Sequence, residues 1–323
     1  MDKKDLRIVF MGTPDFAVES LKGLVENGYN IAGVITMPDK PSGRGHKIQY
    51  SAVKKYALEQ GLPLLQPEKL KDEAFLSDLK AWDADLQIVV AFRMLPEVVW
   101  DMPRLGTFNL HGSLLPQYRG AAPINWSVIN GDKETGVTTF FLTHEIDTGK
   151  VILQEKVKIG EEDNAGKIHD ELMVIGAKLV QRTVDLILED KVDAVAQEQL
   201  FTDEKELKPA PKIFKDTCRI DWNKSAKDIH NFIRGLSPYP TAWTELCCES
   251  KEPQMVKIYS SKVVPSTGNQ PQGAIETDNK TYLNIACMDG FVSVTEIQFA
   301  GKKAMKIDEV LRGYKMDEGA YFK

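Results

Sequence analysis

The chain has 323 residues, of which 42% are hydrophobic, and its formal net charge is −6. This composition is that of a folded protein and excludes a disordered or low-complexity chain. The length predicts two domains. No apolar run reaches the length of a membrane span and the N-terminus has no signal-peptide pattern, so we expect a cytoplasmic protein without a membrane partner.

Redox chemistry and disulfides are not expected from the cysteines. The four cysteines contain no C-x-x-C pair, and in a reducing compartment they are expected to be free thiols rather than metal ligands. They are Cys218, Cys247, Cys248 and Cys287.

The N-terminal residues predict a β-α-β unit. Residues 6–11 form an apolar run that ends at Gly12, a helix is expected to start at Pro14, and residues 31–36 read as a second strand. The turn Gly12-Thr13-Pro14 lacks the further glycines of G-x-G-x-x-G, so the pattern does not favour a dinucleotide site.

Residues 37–49 predict a loop rich in proline, glycine and charge. It is longer than a typical strand-to-helix connection, and such long loops are often functional. Arg44 stands between two glycines and could present its guanidinium to a phosphate or a base edge. The same residues are equally compatible with a flexible, solvated loop. A helix over 51–60 and a buried strand over 86–92 follow, and the latter leads into a short helix.

The segment 107–116, TFNLHGSLLP, predicts a strand that ends in a tight loop. Because side chains alternate along a strand, Asn109 and His111 are expected on the same face. A carboxamide can donate to a developing oxyanion and an imidazole can move a proton, which together suit acyl transfer to an amine. Two residues alone could also be a polar pair satisfied under a turn.

Residues 136–142 and 151–159 predict two more strands, and residues 165–188 predict an amphipathic helix. Strands that alternate with helices indicate an α/β domain with a mostly parallel sheet, whose sites lie at the carboxyl ends of the strands. Gly12, Arg93, His111 and Asp147 all follow predicted strands, so we expect them to share one crevice. His111, His144 and Asp147 could instead form a metal site, but Asn109 would then have no role, and we expect no metal.

The C-terminal part has a different character. Residues 190–208 are polar and predict a linker, residues 225–234 a helix, and residues 256–264, 273–277, 282–286 and 291–299 short strands of a small β-barrel. From residue 209 onward the chain carries 16 Lys and Arg against 14 Asp and Glu, whereas the preceding part is acidic. Residues 301–315 are the most basic stretch, and a basic face would attract phosphates.

The pattern N-L-H-x-S-L-L-P at residues 109–116 resembles the signature of the folate-dependent formyltransferases, which use 10-formyltetrahydrofolate. Flanking motifs resemble those of the members that formylate methionyl-tRNA. They are M-G-T-P-D-F-A (11–17), G-R-G (43–45), Y-R-G-A-A-P-I-N-W (118–126), T-G-V-T (135–138) and I-D-T-G (146–149). Similar residues past position 220 extend the resemblance over nearly the whole chain.

The resemblance implies a fold and a domain organisation. It implies a Rossmann-like catalytic domain over 1–189, a linker over 190–208, and an OB-like β-barrel over 209–323 that binds tRNA. We expect a monomer that transfers formyl from 10-formyltetrahydrofolate to methionyl initiator tRNA.

The resemblance also implies roles for individual residues. It assigns catalysis to Asn109, His111 and Asp147. It assigns the folate pocket to the residues after two strands, Phe92, Met94, Leu95, Ser113, Leu114, Leu115 and Pro116. It assigns tRNA contacts to Arg44, Lys40 and Lys47. Arg93 stands where the family commonly has a small residue, so its side chain receives no role.

Three other activities remain open from the sequence. Relatives with the same site formylate a nucleotide sugar or a purine precursor, and these would not be expected to combine it with the Arg44 loop and a basic barrel. A hydrolase would release formate from 10-formyltetrahydrofolate with water as nucleophile. A non-catalytic RNA-binding protein is disfavoured by the intact motif.

Overall fold

The strands and helices that the sequence predicts are found in the structure, and further elements lie between them. The computed structural model describes residues 2–42, 47–249, 251–265 and 270–323. The strands are β1 (Ile8–Gly12), β2 (Ile31–Ile35), β3 (Lys40–Ser42), β4 (Lys47–Gln49), β5 (Leu64–Leu65), β6 (Leu86–Val90), β7 (Thr107–His111), β8 (Glu134–Phe141), β9 (Val151–Lys158), β10 (Ala242–Cys248), β11 (Lys251–Pro265), β12 (Ile275–Thr277), β13 (Leu283–Ala286), β14 (Gly290–Phe299), β15 (Met305–Lys306) and β16 (Tyr321–Phe322). The helices are α1 (Asp15–Glu26), α2 (Ala52–Glu59), α3 (Glu73–Ala81), α4 (Glu97–Trp100), α5 (Pro123–Ile129), α6 (Ala165–Leu188), α7 (Ala226–Leu236) and α8 (Ile307–Gly313).

The chain divides into two units by its internal contacts. The first contains Met1–Pro123, Thr135–Val157 and His169–Ala210, and the second contains Ile124–Glu134, Lys158–Ile168 and Pro211–Lys323. Within the described part of the chain, none of the helices combines the length and the apolar character needed to cross a bilayer.

The first unit is built on a sheet with the strand order β5-β2-β1-β6-β7-β8-β9. The pairs β2–β5, β1–β2, β1–β6 and β6–β7 are parallel, and β8 runs antiparallel to β7. All residues of β1 and β6 are buried, as expected for central parallel strands that are covered on both faces. The prediction of a mostly parallel sheet is therefore confirmed.

Each face of this sheet has its own cover. On one face, Met11 and Val89 pack with Leu79 of α3 and Val99 of α4. On the other face, α6 lies close to β7, since Gly176 approaches the side chain of Leu110. The sequence predicted α6 with its observed bounds. Helix α3 was not predicted.

The segment predicted as a linker, residues 190–208, is part of the first unit. Val195 forms a bridge with Val151 at the start of β9, and Gln197 is fully buried in the 3-10 turn Gln197–Gln199. The division between the units falls after Ala210.

The second unit is an antiparallel, nearly closed barrel with the strand order β12-β13-β14-β11-β10-β16. A bridge between Ala274, just before β12, and Tyr321 in β16 brings the two ends of the sheet together. Helix α7, capped by the Ser225 hydroxyl on the Asp228 amide, adds Ile229 and Ile233 to the barrel core. The predicted barrel is confirmed, and the Asp289-Gly290 signal does mark the β13–β14 hairpin.

Several elements of the structure were absent from the sequence-based prediction. The hairpin β3–β4 lies in the segment predicted as a loop, and its proline and glycine residues hid its short strands. Helix α8 lies in the basic stretch 301–315, where Ile307, Val310 and Leu311 turn into the core. Strand β10 was missed as well, although Ala242, Thr244 and Leu246 alternate in burial along it.

Candidate active site

Strand β7 carries the two side chains that the motif singled out. Asn109 is half-buried and pairs with Phe140 of β8, and His111 is 7% exposed and pairs with Thr138. Directly opposed residues and residues two apart share a face, so all four side chains lie on the same side of the sheet. The rings of His111 and Phe140 meet edge to face with centroids 6.4 Å apart. Within the described residues, no hydrogen bond involves the Asn109 amide.

The backbone fixes the tautomer of His111. Its Nε2 lies 2.8 Å from the carbonyl oxygen of Tyr118. A carbonyl can only accept, so Nε2 carries the hydrogen and Nδ1 bears the lone pair of the neutral ring. Tyr118 has a φ of 61°, which lies in the left-handed region of the backbone. Nδ1 is therefore the atom of this ring that can take up a proton.

Asp147 faces that nitrogen without being hydrogen-bonded to it. Its Oδ2 lies 3.9 Å from Nδ1 of His111, and the carboxylate side chain is 12% exposed. This distance is too long for a hydrogen bond but is within the range of an ion pair once the imidazole is protonated. The same Oδ2 accepts the backbone N–H of Gly120 at 2.9 Å, which holds the carboxylate in place.

The route by which Asp147 reaches His111 differs from the predicted one. Because β8 is antiparallel to β7, the carboxyl end of β8 lies at the amino end of β7, as the pair Phe108–Phe141 shows. Asp147 does lie beside His111 as expected, but the expectation that their strands end at the same edge of the sheet is wrong. Instead, the loop after β8 folds back over the face of the sheet, and Gly149 lies so close that a Cβ there would overlap the Phe141 carbonyl oxygen.

The residues that brace this loop were not predicted from the sequence. Gln197 donates from Nε2 to the carbonyl oxygens of Asp147 and Gly149, both at 2.8 Å, and its Oε1 accepts from the guanidinium of Arg119. Gly120 has a φ of 124°, and a Cβ at that position would lie 2.5 Å from the Ala210 carbonyl oxygen. Both Gln197 and Ala210 belong to polar or linker-like sequence, where no motif draws attention to them.

The predicted folate residues fall into two groups by exposure. Met94 is 75% exposed, and Phe92 and Leu114 are half-buried. The other four have buried side chains: Leu95 in the core beside α4, and Ser113, Leu115 and Pro116 in the turn after β7. The Ser113 hydroxyl donates to the Gln117 carbonyl oxygen at 2.6 Å, so this residue shapes the turn.

Arg93 is held by backbone carbonyls at the carboxyl end of β6. Its guanidinium donates to the carbonyl oxygens of Pro67 and Glu68 and lies 5.6 Å from the ring centroid of Phe92. Burial lowers the pKa of the Arg93 guanidinium. This side chain stabilises the turn that carries Phe92 and Met94.

The predicted RNA contacts lie partly outside the described residues, since Arg44 is among the residues that are not described. Lys40 begins β3 and is exposed, and Lys47 begins β4. In the basic stretch of the second unit, Lys306 pairs with Glu296 at 2.6 Å and Arg312 pairs with Asp308 at 2.7 Å. The exposed Lys302, Lys303 and Lys315 complete that stretch.

His144 does not converge with His111 and Asp147. It lies 3.3 Å from Glu97 and meets the ring of Trp100 edge-on. Across the described ranges, no group of three or more His, Cys, Asp or Glu side chains is arranged to hold a metal ion.

Comparison with known proteins identifies relatives over the full length. Residues 6–184 match the model of the formyl transferase family, and residues 212–315 match that of the formyl transferase C-terminal domain. The methionyl-tRNA formyltransferase of Bacteroides thetaiotaomicron is 65% identical over 319 residues, 99% of both chains, and that of Parabacteroides distasonis is 65% identical over 316 residues, 98% of both chains. A crystal structure of WlaRD, a sugar 3N-formyl transferase in the presence of dTDP and 5-N-formyl-THF, has a TM-score of 0.63 at 20% identity and covers 92% of this chain and 99% of its own.

Proposed function

The chain belongs to the methionyl-tRNA formyltransferase family, and we propose that it transfers the formyl group of 10-formyltetrahydrofolate to the α-amino group of methionyl initiator tRNA. The full-length identity to relatives of that name supports the choice of acceptor. The observation that supports the chemistry is the orientation of His111, whose backbone-fixed tautomer leaves Nδ1 free beside the Asp147 carboxylate.

The donor would bind at the carboxyl ends of β6 and β7. Met94 offers an exposed apolar surface there, Phe92 and Leu114 are half-buried, and a flat ring system suits such surfaces. Leu95, Ser113, Leu115 and Pro116 would contribute through the backbone and shape of the two turns, because their side chains are buried.

Asn109 would stabilise the charge that develops on the formyl oxygen. Its amide is half-buried, is not used by the described residues, and lies on the same face as His111. When the amine nitrogen attacks the formyl carbon, the C–N bond to the folate breaks and negative charge passes through the carbonyl oxygen. Loss of one such donor typically lowers the rate by about 10²–10³-fold.

His111 would move the proton. An α-amino group has an ordinary pKa of about 8, so a useful fraction is neutral at physiological pH and can attack. The attacking nitrogen then loses a proton to Nδ1 of His111, and the departing folate nitrogen regains one. The Asp147 carboxylate, 3.9 Å away, stabilises the imidazolium while it exists. No step of this route uses a metal ion.

The RNA would be bound by cations in both units. We assign this role to Arg44, Lys40 and Lys47 in the first unit and to the basic residues of the barrel in the second. Two of the latter are neutralised by Glu296 and Asp308, so the remaining lysines would carry the phosphate contacts. We further propose that the first unit, with residues 190–208 included, is catalytic, that the barrel of the second unit binds RNA, and that the protein is a cytoplasmic monomer.

A single assay separates this function from its alternatives. The purified chain is incubated with 10-formyltetrahydrofolate and methionyl initiator tRNA, and the released methionine is tested for a formylated amino group. Formylation that requires the tRNA supports the proposal. Formate release at the same rate without tRNA would replace it with a hydrolase, and transfer to an aminosugar nucleotide but not to the tRNA would replace it with a sugar formyltransferase.

A further inference from the structure

Two apolar side chains stand in solvent where the β3–β4 hairpin joins α2. Ile48 is 67% exposed and Tyr50, two residues before the helix start, is 46% exposed. Neither side chain is buried in the core, so both can contact a binding partner.

The ring of Tyr50 rests on a fixed positive charge. The Nζ atom of Lys54 lies 3.9 Å from the ring centroid, although Lys54 as a whole is only 9% exposed. This ammonium also donates to Asp39 Oδ2 at 2.5 Å and to Gln66 Oε1 at 2.8 Å. With one ring face covered by the ammonium, the exposed area of Tyr50 lies on the opposite face and the edge.

The partners of Lys54 are themselves constrained. Gln66 Nε2 donates to Asp39 Oδ1 and to the Met37 carbonyl oxygen, each at 2.9 Å. The hydrogen bond from Lys54 lowers the pKa of the Asp39 carboxyl, so the ion pair persists at neutral pH. The network ties the base of the hairpin to α2 and keeps the Tyr50 ring in one orientation.

Tyr50 lies at the same edge of the sheet as His111. The next residue, Ser51, caps α2 and shares a 2.8 Å hydrogen bond with Thr36, which follows β2. Strands β2, β1, β6 and β7 are neighbours and parallel, so the carboxyl ends of β2 and β7 are three strand spacings, about 14 Å, apart. An unpaired strand of a few nucleotides can span that distance.

We propose that Tyr50 is a stacking platform for an unpaired nucleobase of the aminoacylated RNA, and that Lys54 is a positioning residue that holds the platform. The inference rests on the proposed function, because it requires that an RNA end reach His111. Unpaired bases stack on aromatic rings irrespective of sequence, and a cation on the far face makes the ring a better partner for an electron-rich base. The exposed Lys40 on the same hairpin supplies a charge complementary to the RNA backbone.

The test compares Tyr50→Ala and Tyr50→Phe in the full chain. KM and kcat for methionyl initiator tRNA are measured at saturating 10-formyltetrahydrofolate, and KM for the folate is measured at saturating tRNA. Since stacking of one base is worth about 1–3 kcal/mol, Tyr50→Ala should raise KM for the tRNA by about 5- to 160-fold. Tyr50→Phe keeps the ring and should stay within about twofold, and neither change should alter KM for the folate. Val174→Ala, which truncates an exposed apolar residue on α6, is the matched control.

Each other outcome has a defined meaning. An unchanged KM for the tRNA in Tyr50→Ala, in a wild-type enzyme that formylates the tRNA, overturns the stacking proposal and leaves the proposed function intact. If the wild type does not formylate the tRNA, it is the proposed function that fails. Tyr50→Phe being as defective as Tyr50→Ala would point to the hydroxyl group and also overturn the stacking proposal.

The role of Lys54 is tested by a double-mutant cycle. Lys54→Leu alone should raise KM for the tRNA, and Lys54→Leu combined with Tyr50→Ala should be no worse than Tyr50→Ala alone, because Lys54 acts through the ring. Additive effects would assign Lys54 a direct contact with the RNA and reject the positioning role. Melting temperatures of all variants show whether the fold is retained, and the Tyr50 arm stands if Lys54→Leu does not fold.

Discussion

His111 in the first unit and His230 in the second are buried almost equally, at 7% and 4% exposure. Their surroundings nevertheless differ at the level of single atoms. His111 uses Nε2 for the Tyr118 carbonyl and keeps Nδ1 without a hydrogen bond, at 3.9 Å from a carboxylate. His230 has Nδ1 at 3.1 Å from the Ser261 hydroxyl and Nε2 at 3.3 Å from the Glu161 carbonyl oxygen.

The charges around the two rings differ as well. Burial lowers the pKa of His230, and Arg234 and Lys227 add to this effect, while the Glu161 carbonyl and Glu162 oppose it. His230 is therefore maintained neutral in a site where both nitrogens are occupied. Burial alone therefore does not prepare a histidine for proton transfer. What prepares His111 is one nitrogen anchored by the backbone and another left open beside a carboxylate.

The largest effect should come from replacing the His111 ring by a neutral amide, with the same replacement of His230 as the comparison. We expect His111→Gln to lower kcat for formyl transfer by about 10²–10⁴-fold, the usual contribution of a general acid–base. His230→Gln should leave kcat within about twofold, since His230 lies in the barrel core and takes no part in this step. Steady-state kinetics on both variants, with circular dichroism to verify folding, provide the measurement. Similar kcat values for the two variants would remove the distinction between the two histidines.

A smaller effect is expected from Asp147→Asn, which removes the charge beside Nδ1 but keeps an oxygen for the Gly120 amide. Two unit charges at this separation interact by about 1 kcal/mol in water and about 4 kcal/mol near a protein surface, so kcat should fall by about 5- to 900-fold. The KM for each substrate should change little. If Asp147→Asn were as damaging as His111→Gln, the carboxylate would have to act on the substrate directly.

The sequence predicted the part of this site that depends on local geometry. Strand alternation is sufficient to place Asn109 and His111 on one face, and the pattern of buried runs is sufficient to predict a parallel sheet. The apolar runs around Asp289-Gly290 likewise predicted a hairpin of the barrel. These features follow from residues that are neighbours in the chain.

Features that depend on distant residues could not be predicted from local patterns. Nothing in residues 136–142 shows that β8 is antiparallel to β7. Asp147 was therefore correctly expected near His111, although the direction assumed for β8 was wrong. The tautomer of His111 depends on the left-handed backbone of Tyr118, a residue type that rarely adopts that conformation. The bracing of Asp147 by Gln197 joins residues 50 positions apart, and a lone glutamine in a polar segment carries no signal.

The smallest expected effect is on the pH dependence of stability, and it arises from His230. Because the pKa of His230 is lowered in the folded state, the unfolded chain binds one more proton between its ordinary pKa of 6.5 and the lower folded value. The contribution of the neutral His230 ring to the free energy of unfolding is therefore complete above pH about 6.5. It is lost as the pH falls below this value, by at most about 1.4 kcal/mol per pH unit. Urea midpoints at pH 7.5 and 5.5 should lie further apart in the wild type than in His230→Gln. An equal pH dependence in wild type and His230→Gln would show that the buried barrel histidine is not the group that titrates.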